Sequence, residues 1–154
     1  MENTEIIKVQ HLAKNFGSFQ AVKDVSFTVN KGDVFGFLGP NGAGKSTTIR
    51  CMLSLIKADN GQIELFGKDL QKHRNEILSK VGSIIEKPDF YRYLSAEKNL
   101  AIFARISGKD VSKREIAEML DFVGLNGRNR DKVGGFSHGM KQRLGIAQTL
   151  LHQP

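Results

Sequence analysis

Tryptophan is absent from this chain, and cysteine, proline and long apolar runs are scarce. The single cysteine, Cys51, has no second thiol with which to form an internal disulfide, which suits a reducing compartment. No apolar run approaches the ~18 residues that a membrane-spanning helix needs. The first residues, MENTEIIKVQ, also lack the charged and then apolar layout of a signal peptide. These absences argue against a disulfide-stapled secreted domain and predict a cytoplasmic protein.

Acidic residues are fewer than basic ones: the chain has 16 Asp and Glu and 23 Lys and Arg, which gives a formal net charge of +7. Such a balance permits three kinds of partner: nucleotide phosphates, nucleic acid or an anionic membrane surface. The cations are scattered, with mild clusters at 68–74 and 128–132, and no basic block marks a nucleic-acid-binding arm. We expect most of these cations to form a solvated surface, and the charge alone does not decide among the three kinds of partner.

The 154 residues fit one domain, whose first third has the patterns of strands. Alternating or continuous apolar residues predict strands at 6–9, 25–29, 34–38, 63–66 and 81–85. Between the third and fourth of these, four apolar residues share one predicted helical face: Ile49, Met52, Leu53 and Ile56. The order of strands and helix indicates an α/β domain.

The second half of the chain reads as helical. Ser95 is a candidate N-cap for a helix that extends to Ile106. Ser112 and Glu115 form a capping-box pattern, and Gly124 ends the helix that they begin. A last helix is predicted from about Ser137, so the α/β domain has a helical arm inserted before its final helix.

The segment Gly39-Pro-Asn-Gly-Ala-Gly-Lys-Ser46 matches the phosphate-loop pattern G-x-x-x-x-G-K-[ST]. Its glycines let successive N–H groups point at one oxyanion, and the following helix adds its positive end. Lys45 brings a cation to the β- and γ-phosphates, and the Ser46 hydroxyl ligates Mg²⁺. The predicted nucleotide-binding residues of this segment are Gly39, Asn41, Gly42, Ala43, Gly44, Lys45, Ser46 and Thr47.

A glycine-rich turn with a solvated lysine is the structural alternative, but the match lies between an apolar strand and an amphipathic helix, where phosphate binding requires it. A GTPase would be expected to carry an N-K-x-D stretch, and none occurs. The D-x-x-G matches at 33–36 and 121–124 are not placed to hold a metal. The loop therefore predicts a nucleoside-triphosphate site with Mg²⁺, and the GTPase alternative is weak.

Residues 136–151, FSHGMKQRLGIAQTLL, together with the phosphate loop, resemble the signature region of ATP-binding cassette (ABC) proteins, which is usually LSGGQ. The resemblance covers about Ile6 to Pro154. It implies two domains paired head to tail, in which Ser137 and the Gly139 amide serve the γ-phosphate held by the partner domain. Taken alone, Ser137 also fits a plain helix N-cap, and a helix start carries the positive potential that either role uses.

The resemblance carries over to three more positions. Phe16 matches the family's aromatic residue that stacks on adenine, although an aromatic residue also fits a core position. Val22 would line the same base. Glu86 stands where the family usually has a glutamine that senses Mg²⁺ and γ-phosphate, so we expect it to have a metal-binding and catalytic role; its charge departs from the family pattern. IIEKPDFY and His138 are similar to the exporter subgroup linked to peptide-antibiotic (bacitracin-type) and drug resistance.

The family completes its site with an Asp-Glu pair after four apolar residues and a later switch histidine. No acidic residue after the phosphate loop has that setting here, and His11, His73, His138 and His152 do not fit the switch position. We therefore expect an amino-terminal fragment. The expected fold is an α/β P-loop NTPase domain with an antiparallel β subdomain and a helical arm, truncated before the Walker B strand. About 1–85 and the last helix would form the RecA-like and β part of this partial 1–154 domain, and about 86–136 the arm.

The resemblance implies the ATPase subunit of an ABC exporter, which acts on the inner face of the membrane with a second ABC domain and a membrane-spanning subunit. The fragment would bind ATP but hydrolyse it poorly. A soluble, non-transport ABC ATPase of translation or DNA repair is the alternative. Repair ATPases of that kind usually carry a long coiled coil, for which residues 85–137 are too few. A second cassette, as in translation factors, is left open.

Overall fold

The computed structural model describes residues 4–154 of the chain. The chain forms two compact units, Met1–Leu78 and Ser79–Pro154. The sequence-based boundary near residue 86 stays a prediction. Among the described residues, no helix is long and apolar enough to cross a bilayer.

The first unit is built on a four-stranded antiparallel sheet with the order β2-β1-β3-β4. The strands are β1 (Glu5–Phe16), β2 (Phe19–Asn30), β3 (Asn60–Leu65) and β4 (Lys68–Asp69). The buried apolar side chains of the first three strands form the core of this unit: Val9, Leu12, Val22, Val29, Ile63 and Leu65. The predicted antiparallel β subdomain is confirmed.

Two helices belong to the same unit, α1 (Lys45–Met52) and α2 (Arg74–Leu78). The prediction that Ile49, Met52, Leu53 and Ile56 share one helical face was wrong, because α1 ends before Leu53 and Ile56. The helix ends at Met52, because Ser54 takes a left-handed backbone (φ 54°) that no helix can continue. Thr48 and Cys51 are the buried residues of α1, whereas Ile49 is 40% exposed.

The apolar runs 34–38 and 81–85 were predicted as strands, and the structure shows neither as a strand. Phe35 and Phe37 pack on Phe27 of β2, with ring centroids 5.2 and 5.4 Å from that ring, but Val34 and Leu38 are almost fully exposed. A strand is stabilised by pairing with a neighbour, and no described strand pairs with either run. Apolar patterning shows that a segment suits a sheet, but it cannot show that a pairing partner is present.

The second unit is helical, with α3 (Ala96–Ile106), α4 (Lys113–Phe122), a 3₁₀ turn at Val133–Gly135 and α5 (His138–Leu150). Its core joins residues of all three α-helices, among them the fully buried Leu100, Leu120 and Leu144. The predicted caps are confirmed: Ser95 caps α3, and Ser112 and Glu115 form the capping box of α4. Gly124, at φ 72°, follows the end of α4 as expected.

A buried asparagine fixes the entry into α3. The Asn99 side chain accepts a hydrogen bond from the Tyr91 amide at 2.9 Å and donates to the carbonyls of Tyr91 and Ser95 at 3.1 and 3.0 Å. Because these groups are away from water, each would be costly to leave unpaired. The segment before α3 is therefore held in one conformation.

Candidate nucleotide-binding site

The phosphate loop takes its shape from glycines in left-handed conformations. Gly42 and Gly44 have φ values of 82° and 83°, and Gly44 is the N-cap of α1. A Cβ added to Gly44 would lie 2.4 Å from the Ala21 carbonyl oxygen and 3.1 Å from Cγ2 of Val22. Only glycine fits there, so the backbone of β2 determines where the loop turns into α1.

Lys45 is the first residue of α1, and its side chain lies back across the loop. Its Nζ donates hydrogen bonds to the carbonyl oxygens of Gly39 and Pro40, at 2.6 and 2.7 Å. An ammonium group has three N–H donors, so these two bonds leave one for an anion. The loop thus holds a preoriented cation beside its own backbone amides.

The start of α1 carries no neutralising acid, because no Asp or Glu lies in its first turn. Gly44 offers no side chain to cap the helix, so the amides there keep their positive potential. Ser46 and Asn41 are exposed and Thr47 is half-buried. The Ala43 amide is already used within the loop, since it donates to the Pro40 carbonyl at 3.2 Å.

The residues of this loop fit a Mg²⁺ ion that is held mainly by phosphate oxygens and water. No group of three His, Cys, Asp or Glu side chains that could hold a metal occurs among residues 4–154. Mg²⁺ at nucleotide sites takes only one or two protein oxygens and completes its shell with phosphates and water. The exposed Ser46 hydroxyl beside Lys45 can supply such an oxygen.

The two residues predicted to contact adenine differ in exposure. Phe16, at the end of β1, is 50% exposed, and Lys14 Nζ lies 5.4 Å from its ring centroid. Its ring therefore presents surface on which a base can stack. Val22 is only 3% exposed and lies beneath Gly44, which leaves it little surface for a base. Both roles stay predictions.

An ion pair that the sequence analysis missed fixes the strand end that carries Phe16. Lys14 Nζ donates to Asp59 Oδ1 at 2.8 Å, and the Asn15 amide donates to Asp59 Oδ2 at 2.6 Å. The side-chain hydrogen bond from Lys14, followed by the backbone bond from Asn15, lowers the pKa of Asp59. The sequence Asp59-Asn60-Gly61 is typical of a turn and does not reveal this pairing, because Lys14 and Asn15 lie more than forty residues away.

Ser137 is the N-cap of α5, and its Oγ accepts a hydrogen bond from the Met140 amide at 3.3 Å. Phe136, the preceding residue, is buried in the helical core and anchors this helix start. Ser137 and Gly139 are exposed, and the first turn of α5 contains no acid. A hydroxyl that accepts one bond can still donate its own hydrogen, so helix capping and phosphate binding by Ser137 are compatible.

Glu86 is exposed and takes a left-handed backbone with φ 62°. This conformation costs a non-glycine residue about 1–2 kcal/mol, and such strain is concentrated at functional positions. No residue pattern in the sequence predicts this backbone conformation. Its proposed metal-binding and catalytic roles stay predictions.

The antiparallel sheet, the glycine loop that runs into a helix at Gly-Lys-Ser, and the serine-capped α5 together define a P-loop nucleoside-triphosphatase fold. The family model for ABC transporters matches residues 22–154, and the chain belongs to this family.

Curated relatives agree with this assignment. The chain is 52% identical over 149 residues to the bacitracin transport ATP-binding protein of Bacillus licheniformis, covering 97% of the chain and 48% of that protein. It is 38% identical over 149 residues to the lantibiotic transport ATP-binding protein of Streptococcus pyogenes, covering 97% of the chain and 63% of that protein. The chain thus spans about half the length of the bacitracin relative.

Solved structures share the fold. The structure of an ATP-binding subunit of an ABC transporter superposes with a TM-score of 0.82 at 29% identity, over 97% of this chain and 63% of that one. The ADP conformation of an ATP-binding cassette gives 0.81 at 28% identity, over 98% of this chain and 66% of that one. The family resemblance seen in the sequence is confirmed.

We expect replacement of Asp59 by asparagine to destabilise the protein in a pH-dependent way. Because the folded-state pKa of Asp59 is lowered, its stabilisation is fully present above the ordinary value of 3.8 and is lost as the pH falls through the folded-state pKa. The free energies of unfolding of wild type and Asp59→Asn, measured with urea, should therefore differ at neutral pH and become equal in acid. Asp110→Asn is the control, because Asp110 is exposed and has no ion pair among the described residues. A difference that is independent of pH would show that the Lys14–Asp59 pair has no such role.

Proposed function

We propose that the complete protein is the ATP-binding subunit of an ABC exporter, which binds and hydrolyses ATP with Mg²⁺ to drive export across a membrane. The observation that carries this proposal is the phosphate loop, in which the Lys45 ammonium stands beside the uncapped start of α1. The relatives are named for transport of bacitracin and of a lantibiotic, which supports a peptide-antibiotic substrate.

The residues of the loop divide the work of binding a triphosphate. The backbone amides and the start of α1 attract the phosphate oxygens, and Lys45 neutralises charge on the β- and γ-phosphates. Mg²⁺ bound through Ser46 would supply further charge neutralisation at the same oxygens. Glu86 offers a carboxylate oxygen to the metal but, unlike glutamine, has no N–H to donate, so its coupling role differs from that of the family's usual residue.

A second ABC domain completes the site. In a head-to-tail dimer, the Ser137 hydroxyl and the Gly139 amide would contact the γ-phosphate held by the partner's loop. The exposed, acid-free start of α5 supports this role. ATP would then bind strongly only where two domains meet, and this links nucleotide binding to dimerisation.

We further propose a cytoplasmic protein that is held on the inner face of the membrane by a membrane-spanning subunit, with no nucleic-acid partner. The relatives' names support transport over the soluble alternative in translation or repair. The 154-residue chain has no Asp-Glu pair after an apolar run, so it should bind ATP yet hydrolyse it poorly. Positioning of the attacking water accounts for much of the hydrolysis rate.

Lys45→Ala should weaken binding of ATP with Mg²⁺, because it removes a charge-assisted contact to phosphate. The expected loss is on the order of 1.5–3 kcal/mol, or roughly ten- to a hundred-fold in affinity by calorimetry. Lys31→Ala, at an exposed lysine outside the loop, is the matched control. Unchanged ATP affinity in Lys45→Ala would refute the site.

In the same assay, Phe16→Ala should weaken the binding of ATP but hardly affect the binding of inorganic triphosphate, which has no adenine ring for Phe16 to stack on.

Mixing two inactive full-length variants tests the shared site. Lys45→Ala removes the phosphate-loop half of a site, and Ser137→Arg blocks the signature half. In a mixed dimer one site carries both lesions and the other carries neither, so part of the ATPase activity should return. If heterodimers form, as shown by tagged co-purification, and the mixture stays as inactive as its parents, then Ser137 does not act across the dimer.

A further inference from the structure

A groove of about 620 Å³ runs along α3 in the second unit, and none of its lining residues is among those proposed for nucleotide binding. Its apolar lining comes from Leu94, Ala101, Val111 and Ile116. Five cations also line it: Lys98, Arg105, Lys113, Arg130 and Lys132. The groove thus combines an apolar lining with a concentration of positive charge that the scattered basic residues of the sequence did not reveal.

The cations are spread along the groove rather than gathered at one point. Lys98 and Arg105 lie two turns apart on α3, about 10 Å along the helix axis. Lys113 begins α4. Lys132 pairs with Ser95 in an isolated antiparallel bridge, which places the segment containing Arg130 and Lys132 beside the start of α3. A single phosphate needs converging donors, whereas this arrangement matches an extended or helical chain of acidic groups.

The positive charge of the groove is largely uncompensated. The ion pairs of this unit include Arg114 with Glu118 and Arg128 with Asp131, and no groove cation has an ion pair among the described residues. Glu97 is the one acidic residue that lines the groove within residues 4–154. The starts of α3 and α4 also lie along it and add positive potential.

We propose that this groove binds an acidic, amphipathic segment of a partner protein, about ten residues long if helical, which spans about 15 Å. The acidic side chains would pair with the cations, and the apolar ones would cover the half-buried Ala101 and Val111. A bilayer presents a flat anionic surface, which fits a concave groove with an apolar lining less well than an inserted peptide does. Charge complementarity would make binding fast and salt-sensitive.

Two substitutions remove the charge without damaging the helices. Lys98 is the third residue of α3 after its Ser95 cap, so Lys98→Glu creates a capping-box pattern there. Lys113→Glu places an acid at the first residue of α4, where the helix dipole favours it. The double variant should therefore fold at least as stably as wild type. Lys23→Glu with Lys31→Glu, at exposed positions of the first unit, causes the same loss of positive charge outside the groove.

The probe is a synthetic peptide of about ten residues with glutamates on one helical face and leucines on the other. In fluorescence anisotropy with the full chain, the Lys98→Glu/Lys113→Glu variant should bind it about tenfold more weakly than wild type. The Lys23→Glu/Lys31→Glu variant should bind within about twofold of wild type, and replacing the leucines by serine should weaken binding to every variant.

Three results would overturn the proposal: no salt-sensitive binding of the peptide to wild type, equal losses in both double variants, or an effect confined to phosphatidylglycerol vesicles. Equal losses would indicate attraction by net charge, and the vesicle result would indicate a membrane surface. ATP affinity measured on the same samples distinguishes a failure of the groove proposal from a failure of the proposed ATP-binding function. It should be unchanged in Lys98→Glu/Lys113→Glu, because neither lysine belongs to the phosphate loop.

Discussion

The close approach of Gly44 to the backbone of β2 is the constraint on which the candidate site depends. The Ala21 carbonyl oxygen lies 2.4 Å from where a Cβ would stand, so only glycine fits at this residue, and the chain turns there with a left-handed φ of 83°. That turn begins α1, and Lys45 follows directly, so its ammonium lies over the loop carbonyls. The sheet therefore orients the loop, the loop starts the helix, and the helix start provides the positive potential for phosphate.

The two helix starts that we propose for nucleotide binding have the same electrostatics but different caps. Both α1 and α5 lack acids in the first turn, so neither positive end is neutralised. Gly44 provides no side-chain cap, which leaves the amides of α1 to a ligand. Ser137 provides a hydroxyl that accepts from Met140 and still has a hydrogen to donate. The first arrangement suits enclosure of a phosphate, and the second suits one contact made across a dimer.

Local signals in the sequence were sufficient for the phosphate loop and the caps at Ser95 and Ser112, because each involves residues only a few positions apart. Strands β1, β2 and β3 were also predictable from their apolar patterns, whereas their antiparallel arrangement was implied by the family resemblance. Features that depend on distant partners were not predictable. The sequence around Asp59 indicated a turn, whereas in the structure Asp59 forms an ion pair with Lys14. The runs 34–38 and 81–85 had the composition of buried strands but lack strand partners among the described residues. The left-handed Glu86 follows from no propensity at all.

Comparing Gly44→Ala with Gly42→Ala tests the central claim most directly. Both residues have a φ near 80°, but a Cβ on Gly42 meets nothing within 4 Å. Gly42→Ala should therefore lose only the left-handed cost of about 1–2 kcal/mol in the free energy of unfolding. Gly44→Ala should lose more, because the loop must also move away from β2, and its affinity for inorganic triphosphate should fall further than that of Gly42→Ala. Equal losses of stability and of triphosphate affinity in the two variants would contradict the account.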